Sequence, residues 1–235
     1  MRPTVIIAGA ATAVAGAAAA GARWARSGPE SDTRDPAEPE PGWASCSAPT
    51  ARVYAATFGR GLAGLYRELA DDLRARMGAP TGLEIVDVGA GPGGLAVAIA
   101  RAFPDSAVTA LDVNARMAEL ATARVAREGM SDRVRVIVGD VTRLPIPDHS
   151  VDLVTSSFSV HHWPDAAAGF AEVNRVLRPG GRAIIYDVPD WWGRFETRAP
   201  RLVQSAEAGG FAGVESSRVR WPGPIEVVHR IDITG

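Results

Sequence analysis

A β-branched run, Leu83-Glu84-Ile85-Val86-Asp87-Val88, breaks into Gly89-Ala90-Gly91-Pro92-Gly93-Gly94 and resumes as a helical pattern. In that pattern Leu95, Ile99 and Phe103 lie four apart, on one face, and Pro104 closes it. A strand that turns through glycines straight into a helix constrains the fold more than any other feature of this chain. Glycine supplies the positive φ of a tight turn and lets another group approach the backbone, and the helix N-terminus offers unpaired N–H groups. The alternation continues downstream. Residues 107–111 read as a strand and 114–128 as a helix with Met117, Leu120 and Val125 inward. Residues 134–138 and 151–155 read as strands, and 165–178 as a helix capped by Asp165 and stopped by Pro179-Gly180-Gly181. A strand at 183–188, a helix near 198–208 and an antiparallel pair at 214–219 and 225–231 complete the pattern. Such a chain builds a Rossmann-like α/β domain, a mostly parallel sheet with helices on both faces. Ligands bind there beyond the carboxyl ends of the strands, which places the chemistry after Val88, Leu111, Val138 and Thr155.

Upstream, Val53, Tyr54, Thr57, Phe58, Leu62, Leu65, Tyr66, Leu69 and Leu73 fall three or four apart, the stripe of a helix or helix pair over 50–77. With 235 residues, 46% of them hydrophobic, the chain can bury one ordinary core. A net charge of −2, with no strongly basic stretch, argues against a nucleic-acid surface. All 25 basic residues are Arg, a bias that points to a GC-rich, bacterial genome. The single cysteine, Cys46, excludes an internal disulfide and fits a reducing compartment. Residues 4–22 carry no charge but are mostly Ala and Gly, so their drive into a bilayer is marginal. A membrane anchor, a cleaved signal and a soluble extension all fit residues 1–26. Residues 27–42 mix four prolines with five acids and read as a solvated linker, leaving 43–235 as the functional domain.

Three acids at three strand ends select the ligand. Gly89, Gly91 and Gly94 satisfy a dinucleotide-type spacing, but Asp87 stands two residues before them. A carboxylate there suits a pyrophosphate poorly and a ligand bearing an ammonium and a sulfonium well, which favours S-adenosylmethionine. Asp112, after the second strand, can accept ribose hydroxyls. Asp140, after the third, can take the amine of adenine while the N–H of Val141 meets a ring nitrogen.

On these residues the chain resembles the class I S-adenosylmethionine-dependent methyltransferases of the type 11 group. The stretch 86–94 is similar to their motif I, and 139–154 to their adenine loop leading into strand four. Ser159-Val160-His161-His162-Trp163-Pro164-Asp165 and Arg175-Val176-Leu177-Arg178-Pro179-Gly180-Gly181 are similar to later elements of the group. The resemblance implies a seven-stranded sheet whose last strand is antiparallel, preceded by an N-terminal helical lid. It implies that Asp87, Gly89, Ala90, Gly91 and Gly93 line the methionine end, Asp112 and Val113 the ribose and its surroundings, Asp140 and Val141 the adenine. Ser156 completes the expected cofactor-binding set. Ser156-Ser157-Phe158-Ser159 stands where base and amide methylases carry an Asn-Pro-Pro-Tyr-like sequence, which disfavours those acceptors.

Methyl transfer from a sulfonium needs no acid for the leaving group, and needs a base only for a hydroxyl, phenol or acidic carbon. His161 and His162 are the candidate bases, with at most one expected to point into the site. Tyr54, Phe58, Tyr66, Trp163, Trp191 and Trp192 are candidates for an acceptor pocket that suits a flat or lipophilic molecule. No His or Cys has metal-ligand spacing nearby. The expected protein is a cytoplasmic enzyme, or one tethered to the inner face of a membrane through residues 4–22. It acts on a small-molecule or lipid-like acceptor, with O- or C-methylation favoured. The competing readings are a non-catalytic binding protein of the same fold and a dinucleotide-dependent dehydrogenase.

Overall fold

The computed structural model describes residues 62–78, 80–187, 199–220 and 227–234, without the side chains of residues 220 and 227–229. The first helix, α1 (Ala63–Met77), turns Tyr66, Leu69, Ala70 and Leu73 inward and ends where Gly78, at φ 72°, donates its N–H to the carbonyls of Arg74 and Ala75. Strand β1 (Glu84–Val88) leads through the glycine turn into α2 (Gly94–Ala102), whose Leu95 and Ile99 are buried together with Phe103 just beyond it. β2 (Ala107–Asp112) is followed by α3 (Ala115–Arg127), capped by the Asn114 side chain on the N–H groups of Arg116 and Met117. The buried face of α3 is Met117, Ala118, Ala121 and Val125. Leu120 is only half-buried, because the small Ala118 and Ala121 face the sheet in its place.

β3 (Val134–Val138) and β4 (Val151–Ser157) come next, then α4 (Ala166–Val176), on whose N–H at Ala168 Asp165 closes as a cap. This helix is shorter than its sequence suggests. Leu177, at ψ 137°, is already extended, and β5 (Leu177–Asp187) runs through Pro179-Gly180-Gly181 rather than beginning after it. Val151 pairs with Leu177 but Leu153 with Arg182, so the Pro-Gly-Gly segment is an excursion within a strand. Side-chain burial explains the early end of the helix: Leu177 is 2% exposed, held by its pairing to β4 and not by a further helical turn. α5 (Ala199–Ala208), β6 (Gly213–Arg220) and β7 (Val227–Thr234) finish the domain.

The seven strands lie in the order β3-β2-β1-β4-β5-β7-β6. β1 to β5 pair in parallel, and β7 runs antiparallel between β5 and β6. One core packs α1 and α2 on one face, with Ile85, Leu153 and Ile184, and the other packs α4 and α5 on the opposite face, with Val86, Val154 and Ile185. The order reverses at β1, where β2 lies to one side and β4 to the other, and a crevice opens there beyond the strand ends.

The apolar segment 4–22, the linker, and Tyr54, Phe58, Trp191 and Trp192 lie outside the described residues. Among those described, no helix is long and apolar enough to cross a membrane.

Candidate active site

At the crevice the glycine turn is fixed by its neighbours. Ala90 N–H donates to the Leu111 carbonyl at 3.0 Å, and Gly91 N–H donates to Asp112 Oδ2 at 2.8 Å. Gly89 is at φ 68°, and a Cβ there would lie 1.8 Å from Ser159 Oγ. That glycine exists for close approach as much as for the turn. Gly94 is similar: a Cβ would meet the Tyr66 ring at 2.4 Å. Tyr66 is therefore packed on the start of α2 and is 9% exposed. At Gly91, φ 52°, a Cβ would meet no atom of the described residues within 4 Å, which leaves room among them for a ligand to lie against the backbone.

Asp87 is fully buried, and among the described residues neither carboxylate oxygen has a partner at hydrogen-bonding geometry. Burial pushes its carboxyl up to about 8, with Asp112 adding to the rise and the nearby Ala96 N–H opposing it. An unpartnered buried carboxylate is costly unless something cationic meets it. Asp112, 9% exposed, uses Oδ2 for Gly91 and Oδ1 for Asn114 N–H at 2.9 Å. Burial holds this carboxyl above its ordinary range, and the two N–H groups pull it back. Each oxygen carries two lone pairs, so one remains on each for a pair of hydroxyls. Val113 and Val138 are 46% and 53% exposed, an apolar wall at the ends of β2 and β3 against which a flat ring can rest. Val138 was not foreseen from sequence; it lies opposite Asp112 in the β2–β3 register. Asp140 is exposed, and its Oδ1 accepts from the N–H and hydroxyl of Thr142. It closes a turn at the third strand end, while the Val141 side chain is buried in the core. Ser156 is fully buried, with Oγ unpartnered.

These features fit the cofactor expected from sequence: orphaned acid oxygens for a cationic end, a cradle open at Gly91, acceptors for a diol and an apolar face for a base. Asp87, the glycine turn and Asp112 are the residues that would hold S-adenosylmethionine.

Beyond β4 the chain makes a sharp departure. Phe158 adopts φ 53°, a left-handed conformation that costs a non-glycine residue roughly 1–3 kcal/mol and persists where surroundings impose it. Its N–H donates to the Tyr186 carbonyl at 2.8 Å, pinning the end of β4 to β5. A short 3-10 turn (Val160–His162) follows. Both histidines are largely buried and lie together, ring centroids 4.0 Å apart and tilted by 52°. His161 Nδ1 is 2.7 Å from Asp187 Oδ1, and its backbone N–H donates to Asp187 Oδ2 at 3.2 Å. Burial and the adjacent His161 push His162 down to about 2. Trp163 donates from Nε1 to Ser159 Oγ at 3.2 Å and packs on Phe170 and against Gly169, so it props this loop on α4.

Asp187 and Ser159 were not singled out from sequence. Asp187 had a signal: it is a charged residue at the end of an apolar strand, and the strand-end rule, applied to the fifth strand as to the first four, finds it. Ser159 had none, since its role is a contact with Gly89 across the sheet.

Residues 85–181 match the family described as methyltransferase domain. The sterol 24-C-methyltransferase ERG6B of Gibberella zeae is 32% identical over 152 residues, 65% of this chain and 38% of that protein. The malonyl-[acyl-carrier protein] O-methyltransferase of Hahella chejuensis is 34% identical over 170 residues, 65% of this chain and 58% of that one. The chain thus matches less than two thirds of the length of either relative. Among solved structures, a Methanococcus maripaludis protein provisionally named an S-adenosyl-L-methionine-dependent methyltransferase superposes with a TM-score of 0.68 at 25% identity. The match covers 87% of this chain and 96% of that one.

Proposed function

The chain carries a methyltransferase domain of the class I S-adenosylmethionine-dependent family, and on that premise we propose that it methylates oxygen or carbon of a small-molecule or lipid-like acceptor. The carrying observation is the buried, unpartnered Asp87 carboxylate beside the glycine turn. A dinucleotide would bring its pyrophosphate to that place, and a second negative group against Asp87 is unfavourable. A ligand with an ammonium and a sulfonium meets it instead.

When bound, the donor presents a methyl group on positively charged sulfur and departs as a neutral thioether. The protein has therefore no leaving group to protonate, and its work is orientation and deprotonation. Asp87 and the turn at Gly89–Gly91 hold the charged end, and Asp112 fixes the ribose. Alignment of acceptor and methyl in a closed site accounts for several kcal/mol of barrier lowering. An acceptor with a proton to lose needs a base, and His161 sits just past β4 for that role. The two relatives named above methylate carbon and oxygen, which supports this choice over an exocyclic amine. A donor made in the cytosol places the site on the cytosolic side, whether or not residues 4–22 tether the chain.

Calorimetric titration of the full chain with S-adenosylhomocysteine, with NAD as control, tests the reading. Micromolar binding of the first alone supports it. Incubation with donor labelled in its methyl group and a panel of a sterol, a phenol and an acyl carboxylate then reports the acceptor. A folded chain that binds neither nucleotide overturns the enzyme reading.

A further inference from the structure

The two sides of the glycine turn are furnished differently. Asp87 follows Ile85 on the sheet face beneath α1 and α2, with the Ala96 N–H of α2 close to its carboxylate. The other side is reached by the loop after β4, which Val160 and Trp163 anchor in the core on the α4 face. This loop lays Ser159 over the turn, its Oγ filling the space that a Cβ on Gly89 would take, 1.8 Å from that point. Trp163 Nε1 donates to the same oxygen at 3.2 Å. A hydroxyl oxygen has two lone pairs and one hydrogen, so that bond holds the group in place and leaves the hydrogen unspent. Among the described residues the Ser159 hydroxyl donates to no acceptor, and the residue is half-buried rather than sealed in the core.

A ligand that ends in an amino acid brings two opposite charges to this turn, an ammonium and a carboxylate on one carbon. Asp87 attracts the first and repels the second. N–H groups of a glycine turn commonly receive an anion, but three of them are already used here. Ala90 donates to the Leu111 carbonyl, Gly91 to Asp112 and Gly93 to the Ala90 carbonyl. The carboxylate therefore needs a hydrogen-bond donor other than those three, on the side of the turn away from Asp87. We propose that Ser159 binds the methyl donor, its hydroxyl donating to the carboxylate of the methionine end of S-adenosylmethionine while Asp87 meets the ammonium. This rests on the methyl-transfer reading above. Held from both sides, the amino-acid end cannot rotate. With the ribose fixed by Asp112, that sets the direction in which sulfur presents its methyl group.

The test compares two ligands on the full chain by calorimetry: S-adenosylhomocysteine, and the same molecule with hydrogen in place of its carboxylate. The wild type is expected to bind the second more weakly. Ser159→Ala is expected to lower affinity for S-adenosylhomocysteine roughly 10–150-fold, as loss of a hydrogen bond to a charged group does, and to leave affinity for the decarboxylated ligand unchanged. A serine that only supported the loop would lower both alike. Ser159→Cys keeps the shape of the side chain with a weak donor, and is expected to lose the same preference. Equal binding of the two ligands by the wild type overturns the proposal, and that result needs no variant to fold. A variant that keeps the wild-type preference, or that weakens both ligands by the same factor, overturns it equally. A wild-type chain that binds neither ligand sinks the methyl-transfer reading itself, a result distinct from the others.

Discussion

Asp87 and Asp187 are two carboxylates at the carboxyl ends of neighbouring parts of one sheet, and the protein treats them in opposite ways. Asp87, 0% exposed, has no hydrogen-bond partner at good geometry among the described residues, and burial pushes it up to about 8. Asp187, 1% exposed, spends both oxygens on His161. The desolvation problem is the same, so the difference lies in who supplies the compensating charge or donor. On the β4–β5 side the protein supplies it from its own chain. In the proposed function it is left, on the β1–β2–β3 side, for the cationic end of a ligand, which makes the first half the binding half and the second the working half.

The largest expected effect breaks the binding half alone. Gly91→Val places a branched side chain in the open cradle and strains a φ of 52°. S-adenosylhomocysteine binding is expected to be lost in calorimetry while the far-ultraviolet circular dichroism of the fold remains. Gly94→Val is the contrast, because its side chain collides with Tyr66 and is expected to lower the melting temperature sharply.

Next in size, His161→Ala should lower turnover about 10²–10⁴-fold, as loss of a general base does, with donor affinity held. The rate is measured on whichever acceptor of the panel reacts. A variant that turns over at the wild-type rate would show that the working half does not deprotonate its acceptor.

Asp112→Ala removes hydrogen bonds to ribose and also the tie to Gly91 N–H. At about 1.5–3 kcal/mol for a bond to a charged group, donor affinity is expected to fall roughly 10–150-fold. Unchanged affinity would remove Asp112 from the site.

The smallest effect concerns Asp87. Its folded pKa lies above the ordinary carboxylate value, so the folded, unliganded protein holds a proton that the unfolded chain has lost between about pH 4 and 8. Stability from this group is complete below that window and is lost as pH rises through 8. A cationic donor favours the ionised form, so binding near neutral pH should release up to one proton. Calorimetry in buffers of different ionisation heat reads that proton, and Asp87→Asn is expected to abolish it. A proton count of zero in the wild type would mean that Asp87 does not meet the donor's charge.

The element order, the glycine turn with Asp87, and Asp112 at the second strand end were legible because each is a local pattern. The helix cap at Asp165 belongs to that group. The end of α4 was misplaced because Pro179-Gly180-Gly181 looks like a helix stop, while the pairing of Leu177 with Val151 extends the chain earlier. The packing of Tyr66 on Gly94 was not legible because it joins residues 28 apart. The aromatic residues 54, 58, 191 and 192 lie outside the described residues, and the lid they would form remains an expectation of the sequence.

By itself, then, the sequence determined the α/β alternation and the place of three acids at three strand ends, since backbone preference and strand-end position act within a few residues. Only the tertiary structure decided which histidine is held and by which carboxylate. That depends on the register of β4 against β5 and on the left-handed turn at Phe158, which together bring residues 161 and 187 within 2.7 Å. Strand register is set by packing of the whole sheet, and no local run of residues encodes it.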